Sequence, residues 1–400
     1  MSRRSPLAHF ALGGAAGLTL AYTAVRAYEM LADRATPAAP EPRDPKRYGR
    51  TRRWLMVGGL ARSAASTAVW AFGLADGFEQ ALKVLPSPLR LPAFVALLTL
   101  AEAARDWPID YIEDYQIERI FGNSERTEDA WAGDRVKMVI VGGGVGVVLS
   151  GLGGIVMRRA PKRWPWIAIA AMPGLLAFAN IVVPTFIMPL FNKFVPLEGP
   201  LETKIRALAA RYGVGNATIL RFDMSRQTKK ANAFVTGVFG TERIAIGDTL
   251  LDEFAEDETL FVVAHELGHY VKRDPWVAIA LGTALTALPL LLGNGTVRRT
   301  TGRATGDVGP AMRLVFYVSL GQLVAAPIFN VFSRMIERRA DRFAVTVTED
   351  PASGARAFRR LRDQNLAEDE VPKWAELLFS SHPSLGSRIA TLEAAATSSI

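Results

Sequence analysis

The sequence predicts an α-helical multi-pass membrane protein, with seven transmembrane helices and a small α+β insert. Three observations predict it. Half of the residues are hydrophobic and mean hydropathy is positive. Apolar runs recur at lengths that cross a hydrocarbon core, and one segment between two runs breaks into short helix and strand patterns instead. A soluble core rarely repeats uncharged stretches of that length.

The runs fall at about residues 8–31, 54–78, 88–105, 136–157, 164–190, 275–293 and 312–336. The first lacks a small-residue cleavage site and closes on Arg26 and Glu29, so it is expected to stay as a span and not to leave as a signal peptide. The third is short and ends in Glu102 and Arg105, which leaves a re-entrant or amphipathic helix open for it. Arg62, Asp76 and Glu102 are costly against lipid and should face a hydrated interior; a shifted span boundary would also serve Asp76 and Glu102. Gly142 and Gly146 lie inside an apolar run, where they let two spans approach; they do not make a nucleotide loop.

The 33–53 loop, with Arg34, Arg43, Lys46, Arg47, Arg50, Arg52 and Arg53, argues for the cytoplasmic side. Arg158, Arg159, Lys162, Arg163, Arg298, Arg299 and Arg303 decorate the opposite face, so the rule tilts the orientation without fixing it. The net charge of +8 belongs to these belts and suits anionic lipid; no nucleic-acid motif accompanies it. Residues 1–190 therefore read as a five-span membrane region with a 106–135 loop, 191–274 as the α+β part, 275–336 as a two-span hairpin and 337–400 as a helical end.

Within the insert, Leu201, Ile205, Leu208 and Tyr212 form one stripe of a short helix, and residues 217–223, 231–239 and 243–247 read as strands. An edge strand through Asn232, Ala233 and Phe234 could pair with an extended peptide, or be an ordinary half-buried strand.

The chemistry is carried by His265-Glu266-Leu267-Gly268-His269. Two imidazoles four residues apart share one helix face and can grip one Zn²⁺, and the glutamate between them lies within reach of the water to be activated. Asp257 and Glu258 give this helix an acidic start; Lys272 and Arg273 give it a basic end. A catalytic zinc site needs a third protein ligand. Glu337 and Asp341, one turn apart, offer one carboxylate for the metal and one to orient a histidine. Taken alone the pair would read as a solvated charged face. The two intervening spans, however, return the chain to the side it left, which brings Glu337 back to the membrane face of His269. The absence of cysteine excludes disulfides, a thiol nucleophile and thiolate ligands, and no Gly-x-Ser-x-Gly elbow offers a rival hydrolase.

These motifs, with Pro189-Leu190-Phe191-Asn192-Lys193-Phe194, Ser381-His382-Pro383 before Arg388-Ile389, and the stretch from Glu113 to Lys137, resemble the type I CAAX prenyl proteases, integral-membrane zinc metalloendopeptidases. The resemblance implies His265, His269 and Glu337 as ligands of one Zn²⁺ per chain, Glu266 as general base and Asp341 as the residue that orients His265. It further implies Asn232 and Ala233, with Phe234 beside them, on the substrate main chain, His382 on the oxyanion and Arg388 beside the carboxylates. It also implies spans that enclose a water-filled chamber and a peptide or prenylated-protein substrate; the basic 33–53 loop, with the zinc helix on its side by parity, tilts the active site toward the cytoplasm. One departure is Asp274, where the family often has a histidine. A quality-control protease of the related heat-shock type, and a non-enzymatic transporter or scaffold with a vestigial site, are the competing expectations.

Overall fold

The computed structural model describes residues 43–237 and 240–398; the apolar run at 8–31 lies outside the described residues. Helix α1 (Pro45–Val69) starts where the Asp44 carboxylate accepts from the main-chain N–H groups of Lys46 and Arg47, and it runs on through a π turn to Ala81. The next three membrane helices are α2 (Ser87–Asp110), continuing through a π turn to Ile120, α3 (Glu128–Arg159) and α4 (Trp164–Val182). After the insert come α8 (Asp274–Thr301) and α9 (Val308–Thr348), which form the expected hairpin.

Among the described residues, five helical segments are long and apolar enough to cross a membrane: Ser87–Ile120, Glu128–Arg159, Trp164–Leu190, Asp274–Thr301 and Val308–Thr348. The expected count of seven is not reached. The 54–78 run is helical, but its Ser, Thr and Gly content and Arg62 keep it less apolar than the others. The third run, short in sequence, sits inside a full-length helix.

Charged residues in these helices meet one another. Arg62 of α1 lies 3.4 Å from Asp106 and 3.5 Å from Glu113, both on the α2 rod. Glu102 accepts from Ser66 (2.9 Å) and from the Trp70 indole (2.8 Å). At the other end of the bundle Asp76 and Glu79 pair with Arg303, and Asp76 also with Arg313. Such pairing satisfies groups that lipid could not.

The insert is a four-stranded sheet, among the described residues, in the order β1-β2-β4-β3, with helices packed against it. The strands are β1 (Phe194–Pro196), β2 (Thr218–Phe222), β3 (Ala233–Thr236) and β4 (Arg243–Gly247). Sequence periodicity found three and missed β1, which is only a three-residue antiparallel partner to β2. The periodicity helix is α5 (Pro200–Ala210), which buries Ile205 and Ala209. Short α6 (Asp248–Glu253) leads into α7 (Glu256–Val271), and α10 (Pro351–Gln364), α11 (Lys373–Phe379) and α12 (Leu385–Ser398) close the chain.

Helix α7 is the centre of this core. Phe261, Val263, Ala264 and Leu267 are fully enclosed, each such side chain contributing about 1.5–3 kcal/mol for the larger ones. Gly268 brings α7 against α9: a Cβ there would stand 3.0 Å from the Phe343 ring. That close approach sets the end of α9 beside the histidine face of α7.

Candidate metal centre

Helix α7 begins in a turn of three acidic residues, in which Glu258 accepts from the main-chain N–H of Ala255 at 3.0 Å and pairs with Arg360 at 2.7 Å. Two turns on, His265 and His269 project from one face, their Nε2 atoms 3.2 Å apart. Glu337 of α9 faces both: its carboxylate oxygens lie 3.3 Å from Nε2 of His265 and 3.4 Å from Nε2 of His269. All three donor atoms fall within 4.8 Å of one another.

The outer nitrogens are committed elsewhere. His265 Nδ1 lies 2.9 Å from Asp341, and His269 Nδ1 lies 2.9 Å from Asp274. Each carboxylate fixes the proton on Nδ1 and leaves the Nε2 lone pair pointing inward. Asp341 is itself gripped by Arg388 through two hydrogen bonds of 2.5 and 2.9 Å, and Arg388 also approaches Glu337 at 3.7 Å. Both members of that pair are buried, so losing one would cost roughly 3–5 kcal/mol.

Two facing imine nitrogens beside a carboxylate make a poor arrangement by themselves. Buried Glu337 Oε2 has no hydrogen-bond partner. A divalent cation answers both features, and two nitrogens with one oxygen form a donor set suited to zinc. The residues present therefore fit the metal that the motif implies.

Glu266 lies on the same helix, half-buried and with no hydrogen bond or ion pair among the described residues. Burial raises its carboxyl above the ordinary range, against the pull of His265 and His269. His265 is drawn the other way: burial disfavours its charged ring, but the bonds to Asp341 and Glu337 prevail and raise it to about 9, so a cation at Nε2 would have to displace a proton to gain the lone pair.

His382 stands in the exposed segment between α11 and α12, with Nε2 3.3 Å from Glu337 and Nδ1 2.8 Å from the Ser381 hydroxyl. Its segment is held from α9. Buried Arg334 donates to the carbonyls of Glu376 and Ser380, and Asn330 to those of Leu377 and Leu378. These two anchors were not singled out in the sequence, where they read as ordinary residues of a span.

The third part is β3, at one edge of the sheet. Asn232 gives its carbonyl to Gly247 of β4 at 2.9 Å, so the alternation of an antiparallel ladder turns the main-chain groups of Ala233 and Val235 to the open edge. Asn232 has an exposed side chain, whereas Ala233 packs into the core beneath α7. Phe234 packs against Phe222, ring centroids 5.7 Å apart, on the far face of the sheet. Its side chain supports the strand and points away from the core of α7.

Asp274 was noted in the sequence only as a departure. Arg273 explains how it serves: a left-handed backbone (φ 57°) reverses the chain after α7, and Asp274 folds back onto His269 while also pairing with Arg339. Asp274→Asn is expected to weaken zinc binding by about 10–100-fold with little loss of fold, read by competition with a fluorescent chelator. Unchanged affinity would mean that the contact does not support the ligand.

Residues 197–396 match the model of peptidase family M48, and residues 44–193 match that described as the CAAX prenyl protease N-terminal region, five membrane helices. The chain is 28% identical over 310 residues to an uncharacterized metalloprotease, YhfN, of Bacillus subtilis (strain 168), covering 75% of this chain and 72% of that one. It is 28% identical over 323 residues to CAAX prenyl protease 1 of Saccharomyces cerevisiae (strain ATCC 204508 / S288c), covering 75% and 71%. The crystal structure of S. mikatae Ste24p has the same fold, with a TM-score of 0.78 at 23% identity, over 98% of this chain and 100% of that one.

Proposed function

Because the chain belongs to peptidase family M48, in its CAAX prenyl protease branch, we propose that it is a zinc endopeptidase that trims the C-terminal tail of prenylated proteins. That it is a membrane metalloprotease follows from the family; zinc, the prenylated substrate and the residue roles are the reading offered here. The heat-shock and scaffold alternatives are not favoured, since the N-terminal membrane region matches the CAAX branch. One observation carries the reading: two Nε2 atoms converge on Glu337, whose buried Oε2 lacks a partner.

His265, His269 and Glu337 would hold the ion, which when bound supplies Lewis acidity toward the scissile carbonyl and the attacking water. Glu266 takes a proton from that water as the new C–O bond forms and the carbonyl oxygen becomes an oxyanion, then passes the proton to the nitrogen as the C–N bond breaks. His382, close to Glu337 and exposed, donates toward the oxyanion. Asp341 and Asp274 keep both ligand tautomers fixed, and Arg388 keeps Asp341 in place. The substrate lies extended along β3, bonded by Ala233 and by the Asn232 side chain.

An internal chamber would admit such a substrate. In its support, Arg62, Glu102, Asp106 and Glu113 gather between α1 and the α2 rod, where lipid would not solvate them. A cytoplasmic opening is supported by Arg43, Lys46, Arg47, Arg50, Arg52 and Arg53 at the metal-site end of α1, where Arg53 pairs with Glu368.

Zinc-loaded protein in proteoliposomes, given matched peptides with and without a C-terminal farnesyl cysteine, tests this. Cleavage of the farnesylated peptide with at least tenfold higher kcat/KM is the expected result, as burial of several lipid methylenes readily supplies that much. Equal cleavage removes the prenyl assignment and leaves the protease standing; cleavage of neither peptide removes both.

A further inference from the structure

Helix α9 has two unlike faces. One carries Ser319, Gln322, Ala326 and Ser333 and continues into Glu337 at the metal centre. The opposite stripe carries Leu320, Val324, Ile328, Val331 and Met335, all exposed, with Val324 71% and Met335 56% uncovered. Exposed apolar side chains in a row on a membrane helix face acyl chains.

This lipid-facing stripe does not end in water. With 41 residues α9 is roughly 60 Å long, about twice a hydrocarbon core, so its last turns stand beyond the bilayer boundary. There the next positions of the same stripe are Arg338 and Arg342, both exposed and without a carboxylate partner among the described residues. Most other arginines near this end of the protein are paired: Arg334 with Glu376, Arg339 with Asp274, Arg356 with Asp257 and Arg388 with Asp341.

Beside the two free guanidinium groups opens a cavity of about 340 Å³ between the end of α9 and α12. Val345, Pro383 and Leu392 give it apolar walls, Ser387 offers a hydroxyl, and Arg388 closes its inner side. The order along the surface is therefore acyl-chain stripe, paired cations, small amphipathic cavity. A phospholipid anion has the matching order of parts: two chains, a phosphate and a small polar headgroup.

We propose that Arg338, Arg342 and this cavity form a binding site for one anionic phospholipid, its chains along Val324, Ile328, Val331 and Met335 and its phosphate on the two arginines. The lipid anchors the last turns of α9 at the interface. The cavity is too small for acyl chains and suits a glycerol-sized headgroup.

The full-length protein in a non-ionic detergent, followed by native mass spectrometry during titration with dioleoyl phosphatidylglycerol or dioleoyl phosphatidylcholine, tests the site. Two arginines at an interface favour the anionic lipid by roughly thirtyfold over the zwitterionic one. The double variant R338A/R342A is expected to lose that preference with its zinc content unchanged, and R338K/R342K to keep most of it. Equal binding of the two lipids by the unaltered protein, or a preference that survives in the double alanine variant, overturns the proposal. So does saturation by inorganic phosphate that phosphatidylglycerol does not displace, which would make the site one for a free anion.

Discussion

Glu266→Gln is expected to lower kcat for peptide cleavage by about 10²–10⁴-fold while one zinc per chain remains bound. The amide has the size of the carboxylate, so the packing of α7 is undisturbed. It cannot accept the proton of the attacking water. Because Glu266 has no partner among the described residues, no other interaction is lost with its charge. Its neighbours His265 and His269 keep the carboxylates that fix their tautomers, Asp341 and Asp274. KM should move little, since in the proposed binding mode the substrate main chain lies along the open edge of β3 and not on Glu266. Steady-state kinetics together with metal analysis of the same sample decide the matter. Full activity in the variant would remove Glu266 from the proton transfer; loss of zinc would show that it supports the metal instead.

Much of this arrangement was legible because it rests on short-range periodicity. His265 and His269 had to share a helix face, and Glu337 and Asp341 had to share another. The α8–α9 hairpin supplied the parity that brings the two faces to one side. The strands around Ala233 and Ile246 announced themselves by β-branched and alternating residues, and their pairing follows. What could not be read is what depends on long-range approach. Gly268 against Phe343 sets the distance between α7 and α9, and no local pattern encodes that contact. Arg334 and Asn330 hold the His382 segment across more than 40 residues of sequence. Phe234 adjoins the strand edge in sequence, yet the pleat sends its ring to the far face, onto Phe222. Asp274 depended on a left-handed Arg273, a conformation that few arginines adopt and that sequence alone does not announce.

Glu337→Gln should weaken zinc binding by more than about 100-fold and bring proteolysis to background, a larger loss than for Asp274→Asn, because a residue that supplies a donor outweighs one that orients a donor. Glu337 is the only acidic member of the proposed ligand set among the described residues, and it is buried within 3.3–3.4 Å of both imidazoles. An amide in its place keeps the shape and removes the anion that attracts a divalent ion. The fold should survive, because Arg388 retains both bonds to Asp341 and so no buried cation is left alone. Glu337→Asp gives the sharper comparison: the charge stays but withdraws by one methylene, about 1.5 Å. Its affinity should fall between those of the unaltered protein and the Gln variant. Excess zinc should restore activity to Asp274→Asn and fail to restore it to Glu337→Gln. A Gln variant with unaltered affinity would show that the carboxylate is not a ligand, and the reading of α7 and α9 as two halves of one metal centre would fall with it.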